Sequence, residues 1–173
     1  LWVRSFEVTY NPAMAIRVLA LLKKQYPEAV LCMVGPDKDG SLEQCRQLAM
    51  DLDVKEQVTF TRRLSKTDWH QLAQNYDIFI NTTNADNTPV SVIEAMALGL
   101  PVVSTNVGGI PYLLEQEKTG LMVAPGDTEG MCEAIVRLIE SPELCATLSQ
   151  NGRQQVAKYD EAIVLAKWRE ILS

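Results

Sequence analysis

The chain has 173 residues, of which 47% are hydrophobic and 22% charged, and its net charge is −6 with an isoelectric point near 4.8. This composition predicts a packed core, and the negative charge argues against a nucleic-acid partner or a basic membrane-binding face. No apolar run approaches the roughly 20 residues that span a bilayer. Four widely spaced cysteines and a single histidine favour a reduced, cytoplasmic protein without a metal site.

Taken in chain order, the hydrophobic patterns predict six strands separated by helices. The predicted strands cover residues 1–3, 29–34, 58–60, 78–80, 101–103 and 120–123. Helix starts are marked by capping residues, and the predicted N-caps are Asn11, Ser41, Ser65, Thr88 and Asp127. A short helix is predicted over residues 111–115, a further helix from Pro142, and a tail helix over residues 159–172.

The alternation of strands and helices predicts an α/β fold, with a Rossmann-like doubly wound parallel sheet of about six strands and C-terminal helices. Such a sheet binds ligands beyond the carboxyl ends of its strands, near the switch in strand order. The positions to inspect are Arg4, Gly35 and the loops that begin at Thr61, Asn81 and Thr105. His70 falls within a predicted helix, far in sequence from any candidate nucleophile, and is interpreted as an ordinary helix residue.

The helix that follows the fourth strand is apolar almost all round, apart from Ser91 and the carboxylate of Glu94. A buried charge is costly unless another group pairs with it, so Glu94 is a candidate functional residue. We expect Thr88 to cap this helix and Pro89 to be its first residue. The backbone N–H groups from Val90 onward then suit an anion such as phosphate.

Arg4, at the end of the first strand, can supply a cation to the same phosphate. The Glu94 carboxylate suits a pair of ribose hydroxyls, and Asp86 suits the hydroxyls of a second sugar. A site with a phosphate position between two carboxylates that accept hydroxyl hydrogen bonds suits a nucleotide-sugar, which has a phosphate between two sugars. Gly108 and Gly109 either end the fifth strand or allow the backbone to approach a ligand closely, and the sequence leaves both readings open.

At these residues the chain resembles the retaining GT-B glycosyltransferases of family GT4, the glycosyltransferase group 1. The resemblance rests on NADNTPVSVIEAMALGLPVVSTNVGG, residues 84–109, followed by GLMVAPGD, residues 120–127. It covers nearly the whole chain, as the C-terminal domain of that family. The order of these motifs is highly specific, whereas any one of them alone is not.

The resemblance implies that the lobe binds a nucleotide diphosphate sugar of UDP or GDP type, with no cofactor and no required metal. The second glutamate of the family motif matches Glu94, which would hold the ribose, and the first matches Asp86, which would contact the donor sugar. The segment around Thr88, Pro89 and Val90 would approach the sugar and the diphosphate. Further matches implied by the resemblance are Arg4 at the diphosphate, the loop of Arg62 beside the base, and the glycines Gly108 and Gly109. Gly35 is a candidate ligand contact because it follows the second predicted strand.

The family's lysine, expected near Tyr10 or Asn11, is missing from this sequence. The resemblance implies a nucleotide-sugar-binding domain over residues 1–158 and a tail helix over residues 159–173. It also implies an absent N-terminal lobe, which would bind the acceptor and would carry any peripheral membrane contact of the cytoplasmic enzyme. Two alternatives stay open: a nucleotide-sugar epimerase with the same fold, and a non-catalytic module that binds a nucleotide-sugar or a protein.

Overall fold

The computed structural model describes residues 1–159 and residue 169. Its strands are β1 (Trp2–Val3), β2 (Leu31–Val34), β3 (Val58–Thr61), β4 (Phe79–Asn81), β5 (Val102–Thr105) and β6 (Leu121–Val123). Its α-helices are α1 (Pro12–Leu22), α2 (Ser41–Asp51), α3 (Lys66–Ala73), α4 (Val90–Leu98), α5 (Ile110–Leu113), α6 (Thr128–Glu140) and α7 (Pro142–Ala157). Each predicted strand is confirmed, whereas the predicted tail helix lies outside the described residues, except for residues 159 and 169.

The strands form two parallel three-stranded sheets, one in the order β1-β2-β3 and the other in the order β4-β5-β6. β1 and β4 lie side by side, because the amide of Ile80 donates to the carbonyl oxygen of Leu1 at 2.9 Å. The backbone nitrogen of Leu1 donates in turn to the carbonyl oxygen of Ile78 at 2.8 Å. The spatial order is therefore 3-2-1-4-5-6, and it reverses between β1 and β4, where a doubly wound fold binds its ligand.

Two apolar cores cover the two faces of these sheets, which confirms the predicted doubly wound α/β fold. Side chains from α1, α2 and α6 pack on one face, together with Trp2 and Met33. Side chains from α3, α4, α5 and α7 pack on the other, together with Leu1 and Val34. Neighbouring strand residues such as Leu1 and Trp2 enter opposite cores because side chains alternate across a strand.

Two of the predicted N-caps are confirmed. The Ser65 hydroxyl accepts from the Asp68 amide at 3.1 Å, and the Asp127 carboxylate accepts from the Gly130 amide at 2.9 Å. A third, Asn11, stands at the N-cap of α1 before Pro12, as predicted, but makes no side-chain cap bond. The other two predicted N-caps, Ser41 and Thr88, are wrong.

Asn11 adopts a left-handed conformation, with φ 45°, and its side chain caps nothing. Ser41 is the first helical residue of α2, and the Asp39 carboxylate accepts a hydrogen bond from its backbone amide at 3.0 Å. Pro89 stands at the N-cap of α4 in an extended conformation, and its carbonyl accepts from the Val92 amide at 3.0 Å. The helix therefore begins at Val90, one residue later than predicted.

The C-terminal end of α4 is held by α7, which lies across it. Arg153 Nη2 donates to the carbonyl of Leu98 at 3.0 Å, and the Ser149 hydroxyl donates to the carbonyl of Gly99 at 2.6 Å. Gly99 ends α4 in the left-handed conformation. These bonds fix the direction in which the N-terminus of α4 points.

None of the helices in residues 1–159 has the length and hydropathy that a bilayer-spanning segment requires. Within the same residues no cluster of histidine, cysteine, aspartate or glutamate is arranged to hold a metal ion. The four cysteines are free; Cys32 and Cys45 are buried, and Cys132 and Cys145 are half-buried. Burial raises the pKa of the Cys45 thiol to about 12, so this side chain behaves as a small apolar group.

Candidate functional site

The loops that follow β1 and β4 are bound to each other at the carboxyl edge of the sheets. The Thr82 hydroxyl donates to the carbonyl of Tyr10 at 2.9 Å. The Asn84 amide donates to the carbonyl of Thr9 at 2.8 Å. The two loops therefore meet at the switch in strand order, and hydrogen bonds hold their backbones together.

The loop after β2 supports the loop that carries Arg4. A Cβ atom at Gly35 would overlap the carbonyl oxygen of Arg4, so the close passage of the two backbones requires glycine there. The Phe6 amide donates to the Pro36 carbonyl at 2.8 Å, and the Val8 amide donates to the Asp39 carboxylate at 2.9 Å. Gly35 therefore has a packing role that is independent of any ligand.

Gly108 and Gly109 hold the loop that carries Asp86. The Gly109 amide donates to the carbonyl of Asp86 at 2.8 Å. A Cβ atom at Gly108 would overlap that same carbonyl, and one at Gly109 would overlap the carbonyl of Asn87. Both glycines are thus required by close packing against the protein's own backbone, a role that neither of the two readings from the sequence named.

The side chains of Arg4 and Asp86 form an ion pair through Arg4 Nη2 and Asp86 Oδ2. Both are largely buried, with 14% and 10% of their side chains exposed. The Tyr10 ring lies under the guanidinium, 4.6 Å from Arg4 Cζ. Burial lowers the pKa of Arg4, and Tyr10 and Glu7 act in the opposite direction; the guanidinium stays charged because the ordinary pKa of arginine is so high.

Glu94 points from α4 toward α3, and 18% of its side chain is exposed. Lys66 Nζ lies 2.9 Å from Glu94 Oε1, and His70 Nε2 lies 3.9 Å from the same oxygen. The partner that a buried carboxylate requires is therefore Lys66, which the sequence analysis missed. A signal was present, since Lys66 and His70 are four residues apart and share one face of a helix.

The first turn of α4 points at the same edge. Thr88 and Val90 are exposed, and Pro89 is buried beneath them. Within residues 1–159, no backbone or side-chain acceptor binds the amides of Val90 and Ser91. Free amides at a helix N-terminus carry partial positive charge and suit an anionic group.

Arg62 also lies at the carboxyl edge, in the exposed loop between β3 and α3. Its carbonyl accepts from the Thr61 hydroxyl at 2.9 Å, and its side chain makes no ion pair within the described residues. The structure thus brings Arg4 and Asp86 into contact but leaves Arg62 apart from both. The carboxyl edge offers a cation, two carboxylates and free amides to a polar, anionic ligand.

An apolar cavity of about 360 Å³ lies at the opposite, amino-terminal edge of the sheets. Leu1, Leu31, Ile78 and Ile135 are among its lining residues. It contains none of the residues predicted for the site, and its lining does not suit a diphosphate. Charge and hydrogen-bonding capacity therefore favour the carboxyl edge as the functional site.

The chain is similar in sequence to known glycosyltransferases. An uncharacterized glycosyltransferase of Haemophilus influenzae is 29% identical over 158 residues, which cover 91% of this chain and 44% of that protein. A GDP-mannose-dependent alpha-(1-6)-phosphatidylinositol monomannoside mannosyltransferase of Mycolicibacterium smegmatis is 31% identical over 147 residues, 81% of this chain and 38% of that protein. The chain therefore spans less than half the length of these relatives.

Among solved structures, Anabaena Alr3699/HepE in complex with UDP superimposes with a TM-score of 0.91 at 22% identity, over 99% of this chain and 47% of that one. At this identity the match shows the fold. The family model described as glycosyl transferases group 1 matches residues 1–155, which is most of the sequence. The chain belongs to the group 1 family of glycosyltransferases.

Proposed function

We propose that this chain is the donor-binding lobe of a glycosyltransferase, which transfers a sugar from a nucleotide diphosphate sugar of UDP or GDP type to an acceptor. The observation that carries this proposal is the position of Arg4, Asp86, Glu94 and the free amides of α4 at one sheet edge. The family assignment of residues 1–155 supports it. Crystal structures of Anabaena Alr3699/HepE with UDP and with UDP-glucose, which share the fold, support a nucleotide-sugar ligand.

Each group has a role that its chemistry suits. The Glu94 carboxylate accepts hydrogen bonds from the two ribose hydroxyls. When they bind, Lys66 Nζ must either move away from Glu94 Oε1 or share that oxygen with the ribose. Arg4 and the amides of Val90 and Ser91 face the diphosphate. Asp86 faces the hydroxyls of the donor sugar.

The same arrangement suggests how the transfer is assisted. As the acceptor oxygen bonds to the anomeric carbon, the bond from that carbon to the diphosphate breaks, and the diphosphate leaves with the electron pair and takes up the proton of the acceptor hydroxyl. Arg4 and the N-terminus of α4 stabilise the negative charge that develops on it. We propose that the anomeric configuration is retained and that the lobe needs neither a metal nor a cofactor.

The acceptor is proposed to bind mainly to an N-terminal lobe, since the relatives are more than twice as long as their matched segments. Closure of two such lobes would bring the acceptor to the sugar. A cytoplasmic location is proposed because the four cysteines are free, as in a reducing compartment. Peripheral membrane contact, if the enzyme has any, is assigned to the other lobe.

The 173-residue chain is expected to bind a nucleotide diphosphate sugar weakly and to transfer no sugar by itself. Isothermal calorimetry with UDP, GDP, UDP-glucose and GDP-mannose measures the binding, and product analysis with simple alcohols as acceptors measures the transfer. Absence of binding to all four ligands would refute the donor-lobe proposal. Efficient transfer by the chain alone would refute the need for a second lobe.

A further inference from the structure

The ion pair between Arg4 and Asp86 joins the two side chains that the proposed function assigns to different parts of the donor. Arg4 is assigned to the diphosphate and Asp86 to the sugar, yet without a ligand they bind each other. Both side chains are at least 86% buried, so water screens their attraction only weakly. The cation is therefore largely neutralised before any ligand arrives.

The backbone around this pair leaves the Asp86 carboxylate little freedom to move away. The Asp86 carbonyl accepts from the Gly109 amide at 2.8 Å, and the two glycines pack directly against the loop. On the other side, the Asn84 amide binds the Thr9 carbonyl at 2.8 Å. Asp86 can change partners by rotating its short side chain, but its backbone stays beside Arg4.

This arrangement affects two ligands differently. A nucleoside diphosphate without a sugar would compete for Arg4 while placing its terminal phosphate beside the Asp86 carboxylate, and like charges at this distance repel. An intact donor carries a sugar on that phosphate, and the sugar hydroxyls donate hydrogen bonds to the carboxylate that Arg4 releases. When the donor binds, the sugar hydroxyls therefore offset the free-energy cost of breaking the ion pair. When the diphosphate binds, nothing offsets that cost.

We propose that Asp86 is a specificity-determining residue, which makes the lobe select an intact nucleotide diphosphate sugar over the nucleoside diphosphate. This inference rests on the proposed function, and it adds a reason why the lobe releases the diphosphate after transfer. Asp86 acts mainly through its ion pair with Arg4, so most of its effect on diphosphate affinity requires the guanidinium.

The test is the Asp86→Asn substitution, which keeps the shape of the side chain and removes its charge. Asp86→Asn is expected to bind UDP, GDP and inorganic pyrophosphate about tenfold more tightly than the wild type, because a buried arginine left unpaired gains more from an anion. The preference for the intact donor should fall in the same variant. Calorimetry measures all the affinities, and circular dichroism checks the fold.

Two controls separate this mechanism from a general change in charge. In the Arg4→Gln background, Asp86→Asn should give a smaller gain in diphosphate affinity, since only the direct repulsion between the carboxylate and the phosphate is then relieved and no guanidinium is released. Glu117→Gln removes one negative charge from an exposed ion pair with Arg137 and should leave every affinity unchanged. Asp86→Ser serves as a second variant in case the asparagine variant does not fold.

Diphosphate affinity that is unchanged or weaker in folded Asp86→Asn or Asp86→Ser would overturn the inference, as would an equal gain in the Arg4→Gln background. If neither variant folds, the wild type decides: tighter binding of both diphosphates than of every donor tested would overturn it. If the wild type binds no nucleotide, the donor-lobe proposal fails. The comparison of pyrophosphate binding by the wild type and by Asp86→Asn then still shows whether Asp86 weakens the binding of anions to Arg4.

Discussion

Replacing Glu94 with alanine is expected to reduce the affinity for UDP or GDP by about 100-fold. The carboxylate is proposed to accept two hydrogen bonds from ribose, and hydrogen bonds to a charged group contribute roughly 1.5–3 kcal/mol each. The affinity for inorganic pyrophosphate should change little, because that probe has no ribose. Calorimetry on the 173-residue chain with both probes makes the comparison.

The matched control for this substitution is Glu117→Ala, which removes a carboxylate that is 55% exposed and pairs with Arg137. Its nucleoside diphosphate affinity should equal that of the wild type. A Glu94→Ala variant that binds UDP and GDP within threefold of the wild type would show that Glu94 is not the ribose ligand. An equal loss of pyrophosphate binding would indicate a general structural effect of the substitution.

Replacing Gly109 with alanine is expected to destabilise the chain by about 2 kcal/mol or more, because a new Cβ atom would overlap the carbonyl oxygen of Asn87. The backbone at Gly109 has φ −82°, which alanine adopts freely, so the steric overlap alone causes the loss. The loop that carries Asp86 should shift, and donor affinity should fall with it. Denaturant unfolding measures the free energy of unfolding, and calorimetry measures the affinity.

Gly152→Ala is the control for this second substitution. Gly152 lies inside α7, where the nearest atom to an added Cβ is 3.7 Å away, in ordinary contact. Since alanine favours a helix over glycine by roughly 1 kcal/mol, this variant should be as stable as the wild type or more so. A Gly109→Ala variant that unfolds at the same denaturant concentration as the wild type would contradict the assigned packing role.

The element pattern was readable from the sequence because strand and helix periodicities are local. The apolar runs at residues 29–34 and 78–80 predicted buried strands, and both are present with shifted ends. Errors are concentrated at helix starts, such as Ser41 and Thr88, where a neighbouring side chain or a proline decides which residue begins the helix. A capping residue signals that a helix is near, but the geometry of the turn before it sets the first helical residue.

The sequence by itself determined the fold class, the sheet edge at which we propose that a ligand binds, and the residue types that surround it. Local order sufficed for these, since parallel strands bring their carboxyl ends, and hence Arg4 and Asp86, to one edge. Only the tertiary structure showed which charges pair: Asp86 with Arg4, and Glu94 with Lys66. Each pair joins residues from different elements, and such pairing depends on how loops and helices pack, which a linear pattern does not encode.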